Sequence, residues 1–146
     1  TKIPGTVTSL VTAVFIYIAY EYLGYTDLKF SIIFFSLLFF YSFYAVKDAE
    51  SQFKNKDPRQ IVIDEVLGQA MPLILVLYLS QNNQLSLQIE IYYVLSFIFF
   101  RFFDILKPFP VSYFDKNFKN YFGIIMDDIM AGLYSMILIY LISLKF

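Results

Sequence analysis

Asp64, Glu65, Asp104, Asp127 and Asp128 are carboxylates set inside long apolar stretches rather than in loops. Asp64-Glu65 follows Ile61-Val62-Ile63, Asp127-Asp128 follows Ile124-Ile125-Met126, and Asp104 stands between Phe103 and Ile105. Ionisable groups at membrane depth are costly and mark function by default. Asp57 joins them from the segment just before the third apolar stretch. Six carboxylates at one membrane level repel one another unless a divalent cation, nearby Arg and Lys, or shared protons neutralise them. Oxygen-only ligands favour a hard ion, Mg²⁺ first and Mn²⁺ or Ca²⁺ after it. Asp57, Asp64, Glu65, Asp104, Asp127 and Asp128 are therefore the expected metal ligands.

Two of the acidic segments are alike. Asp64 and Gly68 are four residues apart, as are Asp128 and Gly132. That spacing puts each carboxylate and each glycine on one helix face. A glycine there lets a second helix, or a lipid headgroup, come close to the backbone. Arg101, Asp104 and Lys107 recur every three residues on a broad face, and Pro108 and Pro110 then take the chain out of the helix. Basic residues beside an acidic metal cluster suit an anionic substrate such as a phosphate ester. Blander readings compete. Asp57-Pro58-Arg59-Gln60 is also a good helix start. Acids in a first helical turn gain about 0.3–1 kcal/mol from the macrodipole, less than the roughly 2.5–3.5 kcal/mol that a mid-membrane Asp costs. Arg101 and Lys107 could equally snorkel to the surface.

The elements that must hold these groups follow from composition. The chain has 146 residues, a single domain over 1–146, with 59% hydrophobic and 16% charged residues. An average soluble domain has about 45–50% and about 25%. That apolar excess is too large for one small water-soluble core, and it excludes disorder. The net charge of −1 offers no basic field to nucleic acid. The absence of Cys and His removes thiolate and histidine metal sites, cysteine nucleophiles and the commonest general base. Chemistry must run on carboxylates, Lys, Arg, Tyr and hydroxyls.

Five apolar stretches, Thr6–Tyr22, Leu28–Val46, Ile61–Ser80, Ile89–Leu106 and Phe122–Leu144, each approach the roughly 17–25 residues of a membrane helix. Nothing alternates with period two, and strands cross a bilayer only as closed barrels. The expectation is an all-α, polytopic membrane bundle of about five transmembrane helices. The first stretch lacks a small-residue cleavage pattern and reads as a retained helix. The chain opens at Thr1 rather than Met, as expected of a sequence lacking its first few residues. With five spans, one side carries Lys2, Lys47, Lys54, Lys56, Arg59, Arg101, Lys107, Lys116 and Lys119, the other only Lys29 and Lys145. The positive-inside rule then puts the N-terminus and the acidic cluster on the cytoplasmic side. Pro72 is expected to kink the third span. The 31 Phe and Tyr residues read as lipid-facing packing and interface anchors.

The ordered blocks Pro4-Gly5-Thr6, Asp57-Pro58, Ile61-Val62-Ile63-Asp64-Glu65-x-x-Gly68-Gln69, Phe100-Arg101-x-x-Asp104-x-x-Lys107-Pro108-x-Pro110, Asp115 and Gly123-Ile124-x-x-Asp127-Asp128-x-x-Ala131-Gly132 closely resemble the phosphatidylglycerophosphatase A family. The resemblance implies a Mg²⁺-dependent, multi-pass phosphatase of the bacterial inner membrane. Its implied substrate is a phospholipid, phosphatidylglycerophosphate, which loses its terminal phosphate to give phosphatidylglycerol. With Cys and His absent, the chemistry left is metal-assisted attack of water on phosphorus, with a covalent aspartyl-phosphate as the open alternative. Asp64, Glu65, Asp104 and Asp128 are then the expected catalytic residues, and Asp64, Glu65 or Asp128 the group that takes the water proton. Arg101, Lys107, Thr6, Gly68 and Gly132 are expected to contact the substrate. A second class, a small ion or proton transporter or channel subunit, shares the intramembrane carboxylates. It predicts acids near the midplane and a polar path to both faces, whereas the stretches Leu73–Leu79 and Met136–Ile142 are almost wholly apolar.

Overall fold

The computed structural model describes residues 3–52 and 62–145. Within them the chain forms α1 (Ile3–Glu21), α2 (Leu28–Gln52), α3 (Ile63–Gln81), α4 (Ile89–Leu106), α5 (Val111–Asn117) and α6 (Tyr121–Lys145). No strand occurs among the described residues. Local chemistry accounts for several of the ends. Gly24, in the left-handed region at φ 68°, turns the chain out of α1. Asp27 caps α2, its Oδ1 accepting from the backbone N–H of Lys29 and Phe30 at 2.9 and 3.2 Å. Asn120 does the same for α6, accepting from Gly123 N–H at 3.2 Å. The Asp57-Pro58 start expected for the third span lies outside the described residues. α3 follows Val62 with no side-chain cap.

The two helices that carry the acidic pairs form the centre. α3 packs along α6, α1 and α2 flank α3, and α4 and α5 close against α6. Leu73, Val76 and Leu79 of α3 meet Ala13, Tyr92, Tyr93 and Ile139 in one buried apolar cluster. Leu67 meets Val46, Ile125 and Ile129 in a second, nearer the acids. Hydroxyls within α1 are satisfied by its own carbonyls: Thr8, Ser9 and Thr12 donate to Pro4, Gly5 and Thr8 at 3.0, 2.8 and 2.9 Å. An apolar setting demands such internal pairing.

Large apolar side chains on α1 and α2, among them Val11, Phe15, Phe30, Ile33, Leu37 and Phe40, stay exposed. A continuous face of that kind suits lipid rather than water. Among the described residues, three helices are long and apolar enough to cross a membrane: α2 over Leu28–Ala49, α3 and α6. That is fewer than the five spans expected. α4 has Glu90, Arg101 and Asp104 within its 18 residues, and α1 has Thr6, Thr8, Ser9 and Thr12 in its first half. Both pack against α3 and against each other.

The connection after α4 holds an element the sequence reading lacked. Lys107 ends α4 in the left-handed region, at φ 47° and ψ 59°. Pro108 and Pro110 do interrupt the helix, but Pro110 then starts α5, accepting from Tyr113 and Phe114 N–H at 3.0 and 3.2 Å. α3 runs on through Pro72 to Gln81 as one helix.

Candidate active site

Asp64 and Glu65 lie in the first turn of α3, and Asp128 lies two turns into α6. One oxygen of each comes within 4.8 Å of the others. Asp64 and Asp128 are buried and Glu65 is half-buried. Asp64 Oδ1 and Glu65 Oε2 are both shut off from solvent without a hydrogen-bond partner. Two unit charges that close repel by about 3 kcal/mol at an effective dielectric near 20. Buried carboxylate oxygens with no donor are costly in themselves. Three hard oxygen donors converging on one point, two of them with orphaned atoms, fit a hard divalent cation. The first-turn dipole that helps Asp64 and Glu65 does not reach Asp128, because α6 begins at Tyr121 rather than beside the acids.

The convergence depends on how closely α3 and α6 approach. A Cβ on Gly132 would lie 2.6 Å from the carbonyl oxygen of Gly68, and one on Gly68 would lie 2.7 Å from that of Asp128. Phe100 of α4 fills the rest of the space beside Gly68. At each glycine a backbone carbonyl of the facing helix is among the obstacles, so the helices could not stay this close with any other residue type. Each glycine is one turn from its carboxylate, and the pair sets the helix spacing that brings Asp64 to Asp128. Gly132→Val should therefore force α3 and α6 apart and destabilise the fold by about 1–3 kcal/mol, the usual cost of overpacking. Thermal unfolding in detergent measures this, and an unchanged melting temperature would mean that the helix contact is not needed.

The other predicted residues form two neighbouring ion-pair sets. Arg101 and Asp104 pair with each other at 2.9 Å, one turn apart on α4. The Arg101 Nη1 also reaches Ser9 Oγ of α1 at 3.4 Å, and its Nε is buried without a partner. Lys107 lies between Asp115 of α5 and Asp127 of α6, at 2.6 and 2.5 Å. Burial works against its charge, but Asp127 and Asp115 outweigh that and raise the Lys107 ammonium above the ordinary lysine range. Its charge therefore persists through neutral pH.

The structure thus divides the six expected metal ligands. Asp64, Glu65 and Asp128 converge. Asp104 is engaged by Arg101 and Asp127 by Lys107 at the end of α4, and adjacent residues on a helix point about 100° apart, so Asp127 and Asp128 leave α6 in different directions. Asp104 and Asp127 remain within electrostatic reach of Asp128. Asp57 lies outside the described residues. Thr6 is half-buried in the first turn of α1. Gly68 and Gly132 are buried against each other's helices. Sequence reasoning gave Asp115 no role, since its partnership with Lys107 arises only when α5 folds back. It also passed over Ser9, a lone hydroxyl in an apolar run.

A family model described as phosphatidylglycerophosphatase A matches residues 1–143. A phosphatidylglycerophosphatase A of Haemophilus influenzae is 40% identical over 87 residues, 60% of this chain and 48% of that protein. A protein of Bacteroides thetaiotaomicron named putative phosphatidylinositol-3-phosphatase is 40% identical over 84 residues, 58% of this chain and 48% of its own length. A phosphatidylglycerophosphatase A of Escherichia coli is 43% identical over 47 residues, 32% of this chain and 27% of that protein. The matches span about half the length of the first two relatives. No solved structure matches the chain.

Proposed function

The chain belongs to the phosphatidylglycerophosphatase A family, and from that membership we propose that it hydrolyses the terminal phosphate of phosphatidylglycerophosphate to give phosphatidylglycerol. The observation that carries the reading is the triad of buried Asp64 and Asp128 with half-buried Glu65, whose orphaned oxygens suit a divalent cation. In this reading the three carboxylates hold Mg²⁺. When bound, the ion polarises the phosphoryl group and lowers the pKa of water.

The residues of the chain do the rest. One triad carboxylate takes the proton of the attacking water as the new P–O bond forms. The same proton can pass to the lipid alkoxide as the ester P–O bond breaks, so the products are an alcohol and inorganic phosphate. Arg101, through its unpartnered Nε, and Lys107, whose ammonium has a third N–H beyond those given to Asp115 and Asp127, meet the phosphate oxygens. Asp104 and Asp127 hold these two cations in place. Thr6 supplies a hydroxyl at the rim. Gly68 and Gly132 act through helix spacing rather than by touching the headgroup, because their open faces are already filled by the facing backbone and, at Gly68, by the Phe100 ring.

The reading places five helices, α1 to α4 and α6, across the bacterial inner membrane, with the triad at the cytoplasmic level of the headgroups. The excess of Lys and Arg on the side of the acids supports that orientation. The lipid then keeps its acyl chains beside the aromatic outer faces while its doubly anionic headgroup enters the site. The apolar cluster around Leu73, Val76 and Ile139 closes the other half of the bundle. That supports a one-sided enzyme over an ion path.

The test is phosphate release by the purified protein from phosphatidylglycerophosphate, phosphatidic acid and a phosphatidylinositol 3-phosphate, with Mg²⁺ present. The expected result is turnover of phosphatidylglycerophosphate at least about tenfold above the others in kcat/KM, which is about 1.4 kcal/mol of discrimination. Equal turnover of all three, or preference for the inositol lipid, would overturn the substrate assignment.

A further inference from the structure

We infer that Gly5 is a positioning residue for the carboxylate triad, because its missing side chain leaves the space into which Glu65 extends. The inference takes the triad's use from the phosphatase reading, but the geometry stands apart from any substrate. Gly5 is buried in the first turns of α1. A Cβ there would overlap Glu65 Oε1, and would lie 3.0 Å from its Cδ and 3.3 Å from its Cγ. Backbone conformation does not explain the glycine, since Gly5 is helical and alanine is the better helix former. What it provides is room for a carboxylate.

This case differs from the glycine contact between α3 and α6. There the obstacle is backbone, and a side chain would separate the helices. At Gly5 the obstacle is the far end of a flexible side chain, which can swing aside without disturbing the fold. Glu65 Oε2 has no hydrogen-bond partner, so the polar tether of the group is its side-chain hydrogen bond with Asp64. The room that Gly5 leaves on α1 is what lets the Glu65 carboxylate extend to within 4.8 Å of Asp64 and Asp128. One turn further along α1, Ser9 reaches Arg101, so the same helix contacts the triad and the cation beside it. The Gly5 position makes α1 a wall of the site rather than a simple membrane anchor.

The prediction is a loss of cation binding without a loss of stability. Gly5→Ala in the full chain, purified in detergent, should bind Mn²⁺ about 10–100-fold more weakly than wild type, the range seen when groups orienting metal ligands are removed. Free Mn²⁺ can be followed by its electron paramagnetic resonance signal. The metal-free melting temperature should stay level or rise. Gly5→Ala combined with Glu65→Asp, which shortens the arm by one methylene, should lose less Mn²⁺ affinity than the two single changes added together. Wild-type Mn²⁺ affinity in Gly5→Ala, a lowered metal-free melting temperature, or strict additivity in the double variant would each overturn the inference. Wild-type protein that binds no Mn²⁺ would remove the cation from the triad and sink the metal-dependent reading as well. If wild type binds Mn²⁺ and Gly5→Ala binds it equally, only the inference fails.

Discussion

Asp64→Asn and Asp128→Asn should each lower kcat for phosphate release by about 100-fold or more, with the protein still folded. The expectation follows from the position of these two groups. Both are buried, they come from the two helices at the centre of the bundle, and each contributes an oxygen to the same point. Asparagine keeps the shape and one oxygen but removes the charge, so it tests charge rather than packing. Each substitution also removes a like-charge repulsion from a metal-free cluster, so metal-free stability should hold or increase. Stabilisation by added Mg²⁺ should shrink in the same variants. Asp127→Asn is the internal contrast. Asp127 is paired with Lys107 rather than converged with the triad, so its loss should cost distinctly less than that of Asp128, its neighbour in sequence. Near-wild-type rates in both Asp64→Asn and Asp128→Asn would overturn the site. Equal losses at Asp127 and Asp128 would remove the distinction between the triad and the Lys107 set.

Removal of divalent cations should abolish turnover, and Mg²⁺ should restore it. The argument is electrostatic. With no cation, three carboxylates share a small buried volume, and two of their oxygens lack any donor. Arg101 and Lys107 are already engaged by Asp104, Asp115 and Asp127. A cation that binds the folded protein should also raise its stability, by about 2.7 kcal/mol at a free concentration 100 times Kd. The measurements are phosphate release in excess EDTA followed by Mg²⁺ add-back, and thermal unfolding across a Mg²⁺ titration. Undiminished turnover in excess chelator would show that the triad works without metal, by sharing protons among its carboxylates.

Much of the site could be read before folding. Acids in apolar stretches stand out because the cost of placing charge in such surroundings is high, and the residues at those positions are visible one at a time. The parallel between Asp64–Gly68 and Asp128–Gly132 was also legible. Helical periodicity puts residues four apart on one face, and α3 and α6 do meet at those glycines. The Asp57 reading lies outside the described residues. Less legible was the division of labour between Asp127 and Asp128. Adjacent in sequence, they project to different sides of α6, and which side faces α3 depends on how the helices pack.

The all-helical class, the apolar exterior, the set of carboxylates and the exclusion of Cys and His chemistry can all be read from the order of residues. Those properties depend on composition and local periodicity, which need no knowledge of distant contacts. Tertiary structure alone decided which three acids converge, because that depends on the backbone contact between Gly68 and Gly132. It also decided that α5 folds back so that Asp115 and Asp127 share Lys107, and that α1 brings Gly5 against Glu65. Gly5 and Glu65, like Gly68 and Gly132, are about sixty residues apart in the chain, and even the nearer partners Lys107 and Asp115 meet only because the chain folds back between them.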